Sequence, residues 1–356
     1  MKFNNKMLRV AVRLWFLHRM NAILRFGHIT NWDTSQVTDM SYLFSNNVSK
    51  EYNTSYFNEP LNWDTSKVVN MSYMFDGCES FNQPLNWDTS NVVTMRHMFS
   101  ECSSFNQLLN WNVRNVKNMN YMFNGCSSFN QPLNWNTNNL QYIDCMFNDC
   151  ITLNSQINLN TSKVITMNGT FNNCQLFNQR LDWNTSKVAI INHAFSRCRS
   201  FNQCLLWDTT KVKTMHGMFS GCTSFNQPLN WNVDNVKSLK FMFYGCVLFN
   251  QRLLWNLKNI KTMRSTFYEC MSLDKIPFDF PKHIDKINTR YMFGLTSIYE
   301  KYKFVHGHDI PKNHILFSIP YRYNFITVVK GKLAKTCNLH YCLLVEDIVR
   351  YIVSFI

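Results

Sequence analysis

The chain has 356 residues, of which 46% are hydrophobic, 15% aromatic and only 16% charged, which excludes a disordered chain and leaves Asn, Ser, Thr and Gln to carry the polar surface. Its formal net charge of +14 is unevenly spread: residues 1–27 hold six Lys/Arg and no Asp/Glu, residues 271–356 hold twelve against seven, and residues 28–270 hold eighteen against fifteen. The near-neutral middle argues against a phosphate-binding groove, so nucleic acid is not the expected partner.

In chain order, the first expected element is a basic amphipathic capping helix within residues 1–30. Leu8, Ala11, Leu14, Trp15, Ala22 and Ile23 can face a core, while Arg9, Arg13, Arg19 and Arg25 face water. These cations interrupt every apolar stretch, so neither a secretory signal nor a transmembrane segment is expected, and the expected compartment is intracellular.

Repeats begin near Trp32 and fill residues 31–270. Trp63, Trp87, Trp111, Trp135, Trp183, Trp207, Trp231 and Trp255 follow a period of 24, with Leu159 in the one missing slot. Twelve positions after each stand Phe75, Phe99, Phe123, Phe147, Phe171, Phe195, Phe219, Phe243 and Phe267. A unit reads Trp-Asn/Asp-Thr-Ser-x-Val-x-x-Met-x-x-Met-Phe-x-Gly-Cys-x-Ser-Phe-Asn-Gln-Pro-Leu-Asn. One such unit cannot bury its own apolar face, so the Trp and Phe ladders are read as core made by stacking like on like. The fold class predicted is an α/β repeat solenoid, leucine-rich-repeat-like, with about 10–11 stacked turns of 24 residues. Pro-Leu-Asn-Trp should be one short strand per turn. Asp/Asn-Thr-Ser should turn the chain, and Val-x-x-Met-x-x-Met-Phe suits a helical turn or a second short strand.

Residues 271–356 hold a degenerate last turn, reaching Tyr291-Met292-Phe293, and a C-terminal cap. The cap has a strand-like run at 324–329 and a helical one at 345–356.

The segments at 87–99 and 121–135, with Met-Phe, Gly-Cys, Phe-Asn-Gln and Trp-Asp-Thr-Ser recurring in order, resemble the BspA-like leucine-rich-repeat surface protein family. Residues 8–44, with Ala11-Val12-Arg13-Leu14-Trp15, Phe26-Gly27-His28-Ile29 and Trp32-Asp33-Thr34-Ser35, are similar to the leader of its algal and giant-virus members. The resemblance implies adhesion or protein interaction and no catalysis. Residues 343–356 are weakly similar to the opening helix of an F-box, which would imply substrate recognition within a ubiquitin-ligase complex.

Nine cysteines lie on the period, from Cys78 to Cys270, and are expected to be free buried thiols. Cys337, His340 and Cys342 have zinc-type spacing but no fourth ligand, so no metal or other cofactor is expected. His97 and His193 share one column, with His216 beside it, and are read as ordinary boundary residues. No glycine-rich phosphate loop, H-E-x-x-H or nucleophile–base–acid set occurs, so no enzyme is expected. The expected function is a non-enzymatic interaction scaffold, monomeric, that binds another protein through its repeat surface. A surface or virion structural protein is the alternative. Partner contacts are expected where exposed columns depart from consensus: Arg96, Arg180, Arg197, Arg199, Lys240 and Arg252.

Overall fold

The structure is a computed structural model and describes residues 1–46, 51–279, 281 and 284–298. The expected N-terminal helix is in fact two, α1 (Asn5–Leu17) and α2 (Arg19–Phe26). Asn4 caps α1 by accepting the Met7 N–H at 2.9 Å. The break at His18, with φ −146° and ψ 68°, has a packing cause. Trp15 and Phe26 both meet the ring of Trp32, at 6.0 and 6.1 Å. Along a straight helix those two residues would lie roughly 16 Å apart, so the chain must turn between them.

The arginines do not all face open water. Arg9 reaches Asp39 at 3.5 Å, Arg13 reaches Glu51 at 2.6 Å and Arg19 reaches Glu59 at 2.5 Å, which ties the cap to the first repeats. Such exposed pairs contribute roughly 0–1 kcal/mol each. Apolar contact by Leu8, Ala11, Val12, Trp15 and Ala22, all buried, therefore holds the cap more strongly than its ion pairs do.

Beyond the cap the chain is a tandem-repeat protein whose consecutive units run parallel and in register. Isolated parallel bridges join Asn70 to Thr94, Thr94 to Asn118, Asn118 to Tyr142 and so on at the 24-residue period. The N–H groups of Met71, Tyr73, Phe75 and Gly77 donate to the carbonyls of Thr94, Arg96, Met98 and Ser100 in the next repeat, at 2.8–3.1 Å. Within the unit, Met74, Asp76 and Cys78 donate three residues back, to Met71, Tyr73 and Phe75.

This segment is neither the helix nor the strand that its apolar spacing suggests. Tyr73 and Gly77 take φ of 60° and 79°, and the same two columns are left-handed at Tyr121 and Gly125 and at Phe241 and Gly245. A left-handed residue every fourth position interrupts both regular conformations while aiming alternate N–H groups at the neighbouring repeat.

The expectation of one strand per turn is also corrected. Among the described residues only Leu133–Trp135 (β1) and Ile157–Leu159 (β2) are strands, paired in parallel with Leu133 opposite Ile157. Elsewhere an indole intervenes. Trp87, Trp111 and Trp135 donate their ring N–H to the carbonyls of Leu61, Leu85 and Leu109, two residues before the preceding Trp position, at 2.9–3.1 Å. That carbonyl is the acceptor a regular ladder would use. At Leu159 there is no indole, and there the ladder forms.

The ladders pack as a core. Phe75 and Phe99 stack at 5.5 Å with rings 1° from parallel, and the Phe column continues to Phe267 and Phe293 at 5.6 Å. Trp87 and Trp111 stack at 6.4 Å. Polar columns are equally regular. The Asn106 Oδ1 accepts the Asn130 N–H at 2.9 Å, and this Asn-to-Asn link recurs from Asn58 to Asn250. Thr65, Thr89 and Thr137 donate their hydroxyls to the carbonyls of Asp88, Asn112 and Asn160. The Phe-Asn-Gln and Trp-Asp-Thr motifs are thus inter-repeat hydrogen-bond rules. The runs at 324–329 and 345–356, and the F-box-like segment within 343–356, lie outside the described residues.

Candidate interaction surface

Alternation around each buried Trp sets the outward columns. With Trp and the Leu two places earlier buried, the residues one and three places before the Trp face solvent. The nearer column reads Asn62, Asn86, Asn110, Asn134, Asn158, Asp182, Leu206, Asn230 and Leu254. Its partner column carries Pro84, Leu108, Pro132, Gln156, Arg180, Cys204, Pro228 and Arg252.

The first five positions of the nearer column are amides, and the change comes after Asn158. Leu206 is 87% exposed and Leu254 75%, values that set them apart from the buried leucines beside every Trp. A shallow groove beside Leu206 is lined by Arg180, Asp182, Gln203, Cys204 and Gln227. The Cys204 thiol donates to Gln227 Oε1 at 3.0 Å. Arg180 pairs with Asp182 at 2.7 Å, and Arg252 with Asp279 at 3.2 Å. The patch is apolar at its centre and charged at its rim, the usual anatomy of a protein interface.

Of the six basic residues expected as partner contacts, only Arg180 and Arg252 belong to this face. Arg96 and Lys240 lie in a different column, nine places after the Trp. The Arg96 guanidinium sits 5.7 Å from the Tyr73 ring and the Lys240 ammonium 5.0 Å from that of Phe241. Arg197 occupies a left-handed position, φ 62°. The Arg199 carbonyl accepts the Ser224 N–H at 3.1 Å, so its backbone serves the stack. The six are divided because they stand at unlike positions of the unit. Leu206, Leu254 and Cys204 escape a search that follows charge, although a Leu in an exposed Asn column is a visible signal.

The histidines take part in stacking. His97 lies between Tyr73 and Tyr121, at 4.4 Å from each, in a column that begins at Tyr42. Burial, helped by Arg96, pulls the His97 imidazole down to about 4. His193 and His216 meet edge to face at 5.0 Å, and burial lowers both.

All eleven cysteines among the described residues are free. Each of the nine on the period donates its thiol to the carbonyl of a Phe in the preceding repeat, as Cys102 does to Phe75 at 3.0 Å. Burial pushes these thiols well above their ordinary range. Among the described residues no group of three His, Cys, Asp or Glu could hold a metal ion. The Cys337, His340 and Cys342 set lies outside them. No helix of the described residues is long and apolar enough to cross a membrane.

No curated protein and no solved structure matches the chain. A family model described as Mycoplasma protein of unknown function, DUF285, matches three successive, partly overlapping stretches, residues 16–133, 85–182 and 181–280. Together these cover the second half of the cap and the whole strict repeat region, and the chain belongs to the DUF285 family.

Proposed function

We propose that this repeat protein is a non-enzymatic interaction scaffold, a leucine-rich-repeat-like solenoid of BspA-like kind, which binds another protein through the face flanking its Trp column. The observation that carries the reading is the exposure of Leu206 and Leu254 in a column otherwise filled by Asn and Asp. Apolar side chains of that size, rimmed by ion pairs, are what buried interface centres are made of. The repeat body offers rigid columns on which such departures from consensus are displayed, while the ladders beneath are committed to packing.

The same reading assigns no catalytic role to the histidines, whose rings are engaged in stacks, or to the period cysteines, whose thiols are engaged as donors. It also favours a reducing, intracellular setting, because a column of thiols that all donate hydrogen bonds works only while reduced.

Affinity capture with the full chain and with a Leu206→Asp, Leu254→Asp double variant, each compared by quantitative mass spectrometry, tests the proposal. A protein retained by the unaltered chain and lost by the variant is expected. Identical captures would remove the face from consideration.

A further inference from the structure

The outward column that carries Leu206 and Leu254 has a symmetry of its own. The Leu253 N–H donates to the Pro277 carbonyl as the Leu133 N–H does to that of Gln156, which places Asp279 after Leu254 in the same column. Over five repeats that column then reads Asp182, Leu206, Asn230, Leu254, Asp279, the same in both directions. At about 4.8 Å per repeat the two leucines stand roughly 10 Å apart, equally spaced about Asn230. Each end carries an anion held by a cation of the neighbouring column: Asp182 by Arg180 at 2.7 Å, and Asp279 by Arg252 at 3.2 Å.

We infer that this face pairs with a second copy of the same chain about a two-fold axis that runs along the strand direction through Asn230. A two-fold interface must match itself, residue i meeting j while j meets i. Here the axis sets Leu206 against Leu254 of the second copy, and Leu254 against its Leu206, so four leucines leave water together. Asn230 meets Asn230. At each end Asp182 approaches Asp279 of the second copy; Arg180 stands beside Asp182, and the second copy's Arg252, one repeat inward and opposite Cys204, stays with its own Asp279. Two cations and two anions share each end, and every charge keeps a partner of opposite sign. A column read as Asn throughout would bring no apolar contact. The N-terminal repeats, with Asn62, Asn86 and Asn110 in that column, are therefore outside the interface.

The inference rests on the reading of this face as an interface and names its occupant. Sedimentation velocity of the full chain over a range of concentrations should show a reversible dimer. Leu206→Asp and Leu254→Asp should each weaken self-association about ten-fold or more, since each carboxylate would face a leucine. At concentrations where the unaltered chain is monomeric, the thermal unfolding midpoint should stay unchanged, because both sites are exposed. In a Cys204→Ser background, Asn230→Cys should form an intermolecular disulfide under mild oxidation, while Asn62→Cys should not. A chain that stays monomeric at every concentration overturns the inference, as does a dimer indifferent to both leucine variants or equal crosslinking at both cysteines. A monomer that still loses a different captured protein on Leu206→Asp would sink self-association and leave the broader reading standing.

Discussion

Trp135 donates its indole N–H to the Leu109 carbonyl at 2.9 Å, whereas Leu159, standing where the next indole would be, gives the Leu133 carbonyl no such donor. The Trp column thus decides where the backbone pairs as strands and where side chains bridge the repeats. Trp111→Phe keeps the ring in the stack but leaves the buried Leu85 carbonyl without its 2.9 Å donor. A cost of about 1–3 kcal/mol is expected, read as a lower unfolding midpoint in urea. Leu159→Trp supplies an indole to the Leu133 carbonyl in place of the β1–β2 ladder, so its midpoint should change less than that of Trp111→Phe. An unchanged midpoint for Trp111→Phe would show that the indole bond adds nothing beyond ring packing.

The Asn column is a second set of inter-repeat bonds, and its chemistry can be separated from its size. Asn106 Oδ1 accepts both the Asn130 N–H at 2.9 Å and the Gln131 Nε2 at 3.1 Å. Asn106→Leu removes that acceptor from two donors and should cost about 1–3 kcal/mol. Asn106→Asp retains an acceptor oxygen and should cost less. Chemical denaturation of the two variants checks the order, and equal losses would mean that shape rather than acceptance matters in this column.

Much of this is legible in the sequence because a fixed period turns identity into position. The Trp and Phe ladders, the turn at Trp-Asp-Thr-Ser and the reduced thiols all follow from residues recurring every 24 places. The path between them does not. Val-x-x-Met-x-x-Met-Phe has helical spacing, yet Tyr73, His97 and Tyr121 take positive φ without a glycine to mark it. Their cost is offset by inter-repeat bonds, such as Tyr73 N–H to the Arg96 carbonyl at 2.8 Å, which only the stacked neighbour reveals. The exposed face is partly hidden for a similar reason. Charge alone points to Arg180 and Arg252 but passes over Leu206, whose meaning lies in the Asn it replaces.

His97 should make the protein sensitive to acid. Its imidazole is held down at about 4 from an ordinary 6.5, first by burial between Tyr73 and Tyr121 and then by Arg96. A base with a lowered folded-state pKa takes up protons more readily when unfolded. The contribution is therefore intact above about pH 6.5 and is lost as pH falls toward 4. For a half-buried ring, solvent screening leaves an effect on the order of 1 kcal/mol. His97→Phe keeps a stacking ring without the titration. Between pH 7 and 4 the variant should lose less stability than the unaltered chain, measured by urea unfolding at each pH. Parallel losses would remove His97 as the source.

The cysteines should divide by column when the folded protein meets a thiol reagent. Cys204 is exposed and lines the groove beside Leu206, so it should be modified within the native state. Cys102, Cys126 and Cys150 are buried, and each donates to a Phe carbonyl of the preceding repeat at 3.0–3.1 Å. Burial holds their thiols protonated, and the thiolate is the reactive form, so two barriers act together. Modification of the period cysteines should then wait for unfolding and rise steeply with denaturant, which peptide mapping after timed labelling would show. Cys126→Ala, which removes the thiol donor and leaves the Phe99 carbonyl only the Cys102 N–H, should expose the neighbouring thiols Cys102 and Cys150 to reagent at lower denaturant than in the unaltered chain. If instead all cysteines labelled at one rate in the native protein, the repeats would have to part far more often than a ladder of stacked rings and shared hydrogen bonds permits.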